Sequence, residues 1–255
     1  MIGAGNMASH LGLALHRQKF NVVQVCNRTP DRGIRLATKI GAEFISDPRK
    51  ITPHADIYIL AVSDAAIEDV GMQLHLQNQL VVHTSGTIGM EILADVSGNT
   101  GVFYPLQTFS GRKRIGFQRI PLCIEANSTR SATLLMEMAT RLSGNVHLIN
   151  SENRKMLHLS AVFASNFTNF MHVIAEELLD DQKISFDLLR PLIRQTVQNT
   201  RMDHLFHYQT GPAVRGDSQV LDQHRALLTS YPAYLELYNM ISENIIKYKS
   251  LHGKL

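Results

Sequence analysis

Gly3-Ala4-Gly5-Asn6-Met7-Ala8, two residues into the chain, is the stretch that decides the fold. Its Gly-x-Gly-x-x-Ala spacing is that of the turn joining the first strand to the first helix of a dinucleotide-binding domain. Gly3 permits a tight turn, and Gly5 lets the main chain approach a pyrophosphate. Ala8 is small enough for the helix to pack on the sheet. The start of that helix offers unpaired N–H groups to phosphate, so Gly3, Ala4, Gly5, Asn6 and Met7 are read as cofactor-binding. Only Met1 and Ile2 stand before the turn, where a strand usually has about five or six residues. The spacing therefore predicts further residues upstream in the native protein.

Moving outward, Leu11, Leu13, Ala14 and Leu15 give the following helix an apolar side, and Asn21 to Cys26 reads as a buried strand. The strand ends in Asn27-Arg28-Thr29, about twenty residues after the glycines, where an NAD enzyme carries an acid for the ribose 2′-hydroxyl. No acid is present at these three positions, and Arg28 supplies a guanidinium suited to a 2′-phosphate. NADP is expected over NAD, the alternative being an exposed strand-end arginine.

Residues 1–150 alternate strand and helix: helices at 30–40, 64–74 and 129–142, strands at 43–45, 56–62, 79–83, 100–104, 121–125 and 145–149. Apolar strands joined by long helices imply a Rossmann-type, doubly wound parallel sheet of the α/β class. After Asn150 the period becomes helical throughout, over 152–179, 186–206 and 217–248, which predicts an all-α domain at 151–255.

The composition narrows the function classes. A hydrophobic content of 44%, a net charge of +3 and no long apolar run describe a globular protein with no signal for export or membrane insertion, and predict a cytoplasmic one. The densest basic run, Arg112-Lys113-Arg114, has no interleaved aromatics, so nucleic acid is not an expected partner. The two cysteines, Cys26 and Cys123, lie inside apparent strands, and the 12 histidines show no metal-ligand spacing. No metal is expected.

Ligands of open parallel sheets bind outside the carboxyl ends of the strands. Ala61, Val62 and Ser63 fall there, as do Thr84, Ser85 and Gly86, which lie where a nicotinamide would reach. Ser63 also suits a helix N-cap, and Thr84 to Gly86 a plain strand-to-helix turn. The 152–179 helix is apolar nearly all round, yet Lys155, His158, Val162, Asn166 and Asn169 share about a third of its circumference at 100° per residue. His158 could donate a proton, with Lys155 and Asn166 orienting a substrate. A structural hydrogen-bond network is the competing reading. Tyr104 and Gln107, in Tyr104-Pro105-Leu106-Gln107-Thr108-Phe109, and Arg215, in Gly211-Pro212-Ala213-Val214-Arg215-Gly216-Asp217, are candidate substrate contacts, though both stretches also read as turn and cap chemistry.

The front end, Gly-Ala-Gly-Asn-Met-Ala with Asn-Arg-Thr, resembles pyrroline-5-carboxylate reductases and NADP-dependent deazaflavin reductases. The Tyr-Pro-Leu-Gln-Thr-Phe segment, the His158-Leu-Ser-Ala-Val-Phe-Ala-Ser-Asn166-Phe helix and the Thr210-Gly-Pro-Ala-x-Arg-Gly-Asp217 turn resemble a narrower group. Its members are NADP oxidoreductases with a Rossmann-like domain and a helical C-terminal domain of unknown function. The resemblance implies NADP binding and a homodimer built through the helical domains, and implies no substrate. The expected activity is hydride transfer to a small-molecule C=O or C=N substrate in the cleft between domains. The alternative is a sensor or scaffold that binds NADP without turnover.

Overall fold

The computed structural model describes residues 1–110 and 115–252, and the basic run Arg112-Lys113-Arg114 lies outside the described residues. The apolar runs of the first half pair as β1 (Gln24–Cys26), β2 (Glu43–Ile45), β3 (Ile57–Leu60), β4 (Leu80–His83), β5 (Asn99–Pro105), β6 (Leu122–Ala126) and β7 (Val146–Leu148). β1 and β2 pair in parallel, and β3 to β7 pair in sequence order. Ile2 bridges Cys26 on one side and Leu60 on the other, both in parallel, so this single residue occupies the central position between β1 and β3. Its N–H donates to Ile59 O at 2.8 Å, and its carbonyl accepts from Ala61 N at 2.6 Å.

One pair departs from the expected parallel sheet: β6 runs antiparallel to β5, with Tyr104 opposite Cys123. A parallel return needs a crossover, usually a helix. Among the described residues of the connection the regular structure is a short 3-10 turn, Phe117–Arg119, and Leu106 N–H donates to Pro121 O at 2.9 Å. The chain therefore folds back beside β5. β7 pairs in parallel with β6, so it too runs against β3 to β5.

Helices cover the sheet as the apolar spacing requires. α1 (Asn6–Arg17) and α4 (Thr129–Leu142) bury Ala8, Leu11, Leu15, Leu135 and Ala139 against Leu122 and Ile124. A second cluster holds Tyr58, Leu60, Ile67, Val81 and Leu93. α2 (Pro30–Ile40) starts on proline and ends at Gly41 in the left-handed region, φ +70°. The helix expected at 64–74 is a 3-10 turn, Asp64–Ala66, followed by the short α3 (Ile67–Gly71).

α5 (Ser151–Ala161) follows β7, capped by Asn150 Oδ1, which accepts Asn153 N–H at 2.9 Å. A π-helical segment, Val162–Phe167, stands between α5 and α6 (Thr168–Asp180). Then come α7 (Arg190–Asn199), α8 (Pro212–Arg215), α9 (Ser218–Leu227) and α10 (Pro232–His252). The helix expected over 217–248 is thus two helices. Pro232 has no N–H to continue α9, and instead occupies the first turn of α10. The chain divides into compact units Met1–Ala164 and Ser165–Leu255, which places α5 with the sheet rather than with the helical part. Leu157 of α5 packs on Val102, Tyr104 and Cys123, and Arg154 bonds to Glu125, which explains that assignment. An all-round apolar helix implies burial, yet Met156, Leu159, Phe163, Phe167 and Phe170 are exposed in the single chain.

Candidate functional site

A groove of about 820 Å³ opens at the carboxyl ends of β1, β3 and β4, and the loops named from the sequence form its walls: Gly3–Met7, Asn27–Thr29, Ala61–Ser63 and Thr84–Ser85. Gly3 sits at φ +107°, and a Cβ there would lie 2.2 Å from Ala61 O. Only glycine tolerates both the angle and the contact. At Gly5, the N-cap of α1, a Cβ would meet nothing within 4 Å, so the space above the turn is open. The first turn of α1 holds no acidic residue, and its N–H groups face that opening, an arrangement that suits a pyrophosphate. Asn6 Nδ2 donates to Phe109 O at 3.3 Å, tying the Tyr104–Phe109 segment back to the glycine turn.

Asn27 directs both ends of its amide at the protein: Oδ1 accepts Ala4 N–H at 2.9 Å, and Nδ2 donates to Thr29 O at 2.7 Å. It fixes the glycine turn to the end of β1, and the Ala4 N–H is consumed in doing so. Arg28 is exposed on the groove wall, and Arg32, four residues on in α2, lines the same wall. Neither forms a salt bridge among the described residues. Two unpaired guanidiniums in one wall suit a dianionic phosphate. Sequence reading missed Arg32; the signal was its spacing from Arg28 across the helix start at Pro30.

Ser63 precedes the 3-10 turn, but its side chain makes no capping bond. Thr84 donates from N–H and Oγ1 to Leu60 O at 3.2 and 3.3 Å, and Ser85 Oγ accepts the N–H groups of Thr87 (3.1 Å) and Ile88 (3.0 Å). Those hydroxyls shape their own turn. Thr87 Oγ1 donates to the Asp64 carboxylate, closing the turn onto the loop after β3.

Gly86 does not line the groove. A Cβ there would lie 2.6 Å from His158 Nδ1 and 2.8 Å from Tyr104 Cζ, so the bare Cα is the seat on which those two rings meet. Tyr104 Oη and His158 Nδ1 are 2.9 Å apart. Burial, the largest cause, pushes the Tyr104 hydroxyl up to about 12, so it stays a phenol at neutral pH. The sequence assigned Tyr104 to substrate and His158 to proton transfer; the structure joins them.

Beneath the pair lies a network that no sequence pattern indicated. Arg154, with 0% exposure, donates to the Glu125 carboxylate, to Ile88 O, and to Ser151 Oγ at 3.1 Å. Ser151 donates to both Glu125 oxygens, from N–H at 2.9 Å and from Oγ at 2.7 Å. Next to it, buried His83 accepts Ser85 N–H on Nδ1 at 3.2 Å and faces Gly89 O with Nε2 at 3.2 Å. Burial first, then the Arg154 charge, pull its pKa down to about 4. His83 is thus a neutral structural imidazole.

The remaining candidates have surroundings of their own. Lys155 is exposed on α5, and Gln107 is exposed with its Oε1 accepting Thr108 N–H at 2.9 Å. Asn166 lies in the π-helical segment, where the 100° step that grouped it and Asn169 with His158 does not hold. Arg215 ends α8, 4.0 Å from the Asp217 carboxylate, and Asp217 Oδ1 caps α9 by accepting Val220 N–H at 3.2 Å. Among the described residues no His, Cys, Asp or Glu cluster could hold a metal, and no helix is long and apolar enough to cross a membrane.

Residues 1–86 match the family described as NADP oxidoreductase coenzyme F420-dependent, and residues 120–245 match the domain of unknown function DUF2520. A crystal structure of a "putative NADP oxidoreductase" from Bacteroides fragilis is 40% identical, with 96% of each chain covered and a TM-score of 0.90. An imine reductase from Myxococcus stipitatus in complex with NADP+ shares the fold at 16% identity, covering 98% of this chain and 93% of that one, with a TM-score of 0.68. A pyrroline-5-carboxylate reductase from Coxiella burnetii does so at 18% identity, with 96% of each chain covered and a TM-score of 0.59. No curated protein sequence matches the chain. The chain belongs to the NADP oxidoreductase family in which a Rossmann-like domain is followed by a DUF2520 domain.

Proposed function

Within that family, we propose that this chain is an NADPH-dependent reductase of a small C=N or C=O substrate, with His158 as proton donor. One observation carries the reading: a glycine turn with open space above Gly5 shares a groove wall with two unpaired guanidiniums, Arg28 and Arg32. The turn and the start of α1 would hold the pyrophosphate, and the guanidiniums the 2′-phosphate. When bound, the reduced nicotinamide supplies a hydride to the substrate carbon. The chain's own chemistry is proton handling: the imidazole of His158 gives a proton to the nitrogen or oxygen as negative charge develops there. Relatives described as imine and pyrroline-5-carboxylate reductases support a C=N substrate. The proposal includes a homodimer, since Met156 and Leu159 on α5 and, separately, Phe170 on α6 expose apolar side chains that a second copy would cover.

A titration following the cofactor's own fluorescence tests the reading, because the chain contains no tryptophan. NADPH binds more tightly than NADH, and His158→Ala abolishes reduction of a C=N and C=O panel while keeping NADPH affinity. Tighter NADH binding, or no uptake at millimolar NADPH, overturns it. NADPH binding without turnover of any substrate leaves a sensor or scaffold instead.

A further inference from the structure

Three contacts bring Tyr104 and His158 together, and each can be traced to the backbone. Because β6 is antiparallel to β5, Glu125 lies opposite Val102, two residues before Tyr104. Arg154 grips Glu125, and His158 follows one helical turn later on α5. Four helical residues rise about 6 Å, and two strand residues advance about 6.6 Å. The clamp at Arg154 and the bond at Tyr104 are therefore in register along α5 and β5. Gly86 then closes the site from the β4 side, where any side chain would push between the rings.

We propose that Tyr104 is a positioning residue that fixes the tautomer and ring orientation of His158, with Gly86 as the seat of the pair. A phenol can donate or accept at this distance, but among the described residues Tyr104 Oη has no other acceptor for its hydrogen, so the hydrogen goes to Nδ1 of the neutral ring and the ring proton stays on Nε2. When the ring takes up a second proton, Nδ1–H donates to the phenol oxygen, and the 2.9 Å contact is kept in both states. Nε2 thus carries a proton in both states; when the doubly protonated ring gives that proton away it keeps Nδ1–H, donated to the phenol oxygen, until a solvent proton restores Nε2–H and loss of Nδ1–H returns the starting tautomer. The effect on turnover rests on the reading of His158 as proton donor; the tautomer does not.

The test is nitrogen-15 NMR of the histidine rings in the full-length protein and in Tyr104→Phe. In the unchanged protein His158 shows a single Nε2–H tautomer with a hydrogen-bonded Nδ1, which requires no variant to observe. Tyr104→Phe shows a mixture of tautomers, while the His83 signals, fixed by Ser85 and Gly89, stay in place and certify the fold. In the same variant kcat falls about tenfold or more while KM and NADPH affinity change little. A tautomer mixture at His158 in the unchanged protein, or an unaltered single tautomer in Tyr104→Phe, overturns the proposal. Failure to bind NADPH would defeat the functional reading and leave the tautomer result standing.

Discussion

Replacing Arg154 by leucine removes the charge that anchors α5. The arginine has no exposed surface, and its partner Glu125 is 15% exposed at the side chain. Leucine would fill part of the volume but leave a carboxylate with no counter-charge and Ile88 O with no donor. Breaking a buried ion pair from one side costs about 3–5 kcal/mol. The two bonds from Ser151 to Glu125 survive, which places the loss near the lower end, about 3 kcal/mol. For a urea slope of about 2 kcal/mol/M, the midpoint of unfolding falls by about 1.5 M. Glu125→Leu alone is similarly costly, because it strands the guanidinium, whereas Arg154→Leu with Glu125→Leu together costs clearly less than the two singles added. Far-UV circular dichroism against urea reads all three. A midpoint for Arg154→Leu within about 0.3 M of the unchanged protein, or strict additivity in the double variant, refutes the account of Arg154 as an anchor.

Three further outcomes follow from the site. Arg28→Ala raises the NADPH dissociation constant about tenfold or more and leaves NADH nearly unchanged, as read by cofactor fluorescence, because on the proposed reading Arg28 faces the 2′-phosphate that NADH lacks. Gly3→Ala forces a Cβ to 2.2 Å from Ala61 O at φ +107°, and lowers stability by about 3 kcal/mol in the same urea assay. His83 titrates at about 4 when folded against 6.5 when unfolded, so the unfolded chain binds the extra proton between those values. Stability therefore falls as pH drops through that window, by about 3 kcal/mol at about 1.4 kcal/mol per pH unit, and His83 contributes no further slope below it. His83→Asn flattens that part of the profile; an unchanged slope would assign the effect to another group.

Where local backbone rules decide, the sequence was readable. α2 and α4 span the residues expected, 30–40 and 129–142; Pro30 and Gly41 delimit the first, and Ser128 caps the second. The Gly3 turn and the neighbourhood of Asn27–Thr29 are likewise backbone matters, and the groove assembles from them. The direction of β6 was not readable, because an apolar run such as Leu122–Ile124 reads the same in either sense and only the missing crossover helix decides. Pro232 was a visible stop that the long apolar period of 217–248 masked. The π-helical segment defeats any fixed 100° step, and with it the stripe joining His158 to Asn166. Arg154 escaped because a lone arginine in a helix reads as solvated until a carboxylate from a distant strand is found facing it. The tyrosine–histidine bond escaped for the same reason: 54 residues separate its members.

Asn27 has a consequence for anyone wishing to retune this protein. One amide grips Ala4 with its oxygen and Thr29 with its nitrogen, so the segment meant for pyrophosphate and the segment meant for ribose are a single mechanical part. If Arg28 and Arg32 hold the 2′-phosphate as proposed, cofactor choice can be altered at either without disturbing that part, since neither contributes to the fork. Exchanging Asn27 for aspartate would keep the grip on Ala4, whose N–H a carboxylate oxygen still accepts, and lose the one on Thr29, because a carboxylate has no hydrogen to offer. On the proposed reading, discrimination between the two nicotinamide carriers and the capacity to hold either one thus fall to adjacent but separable side chains.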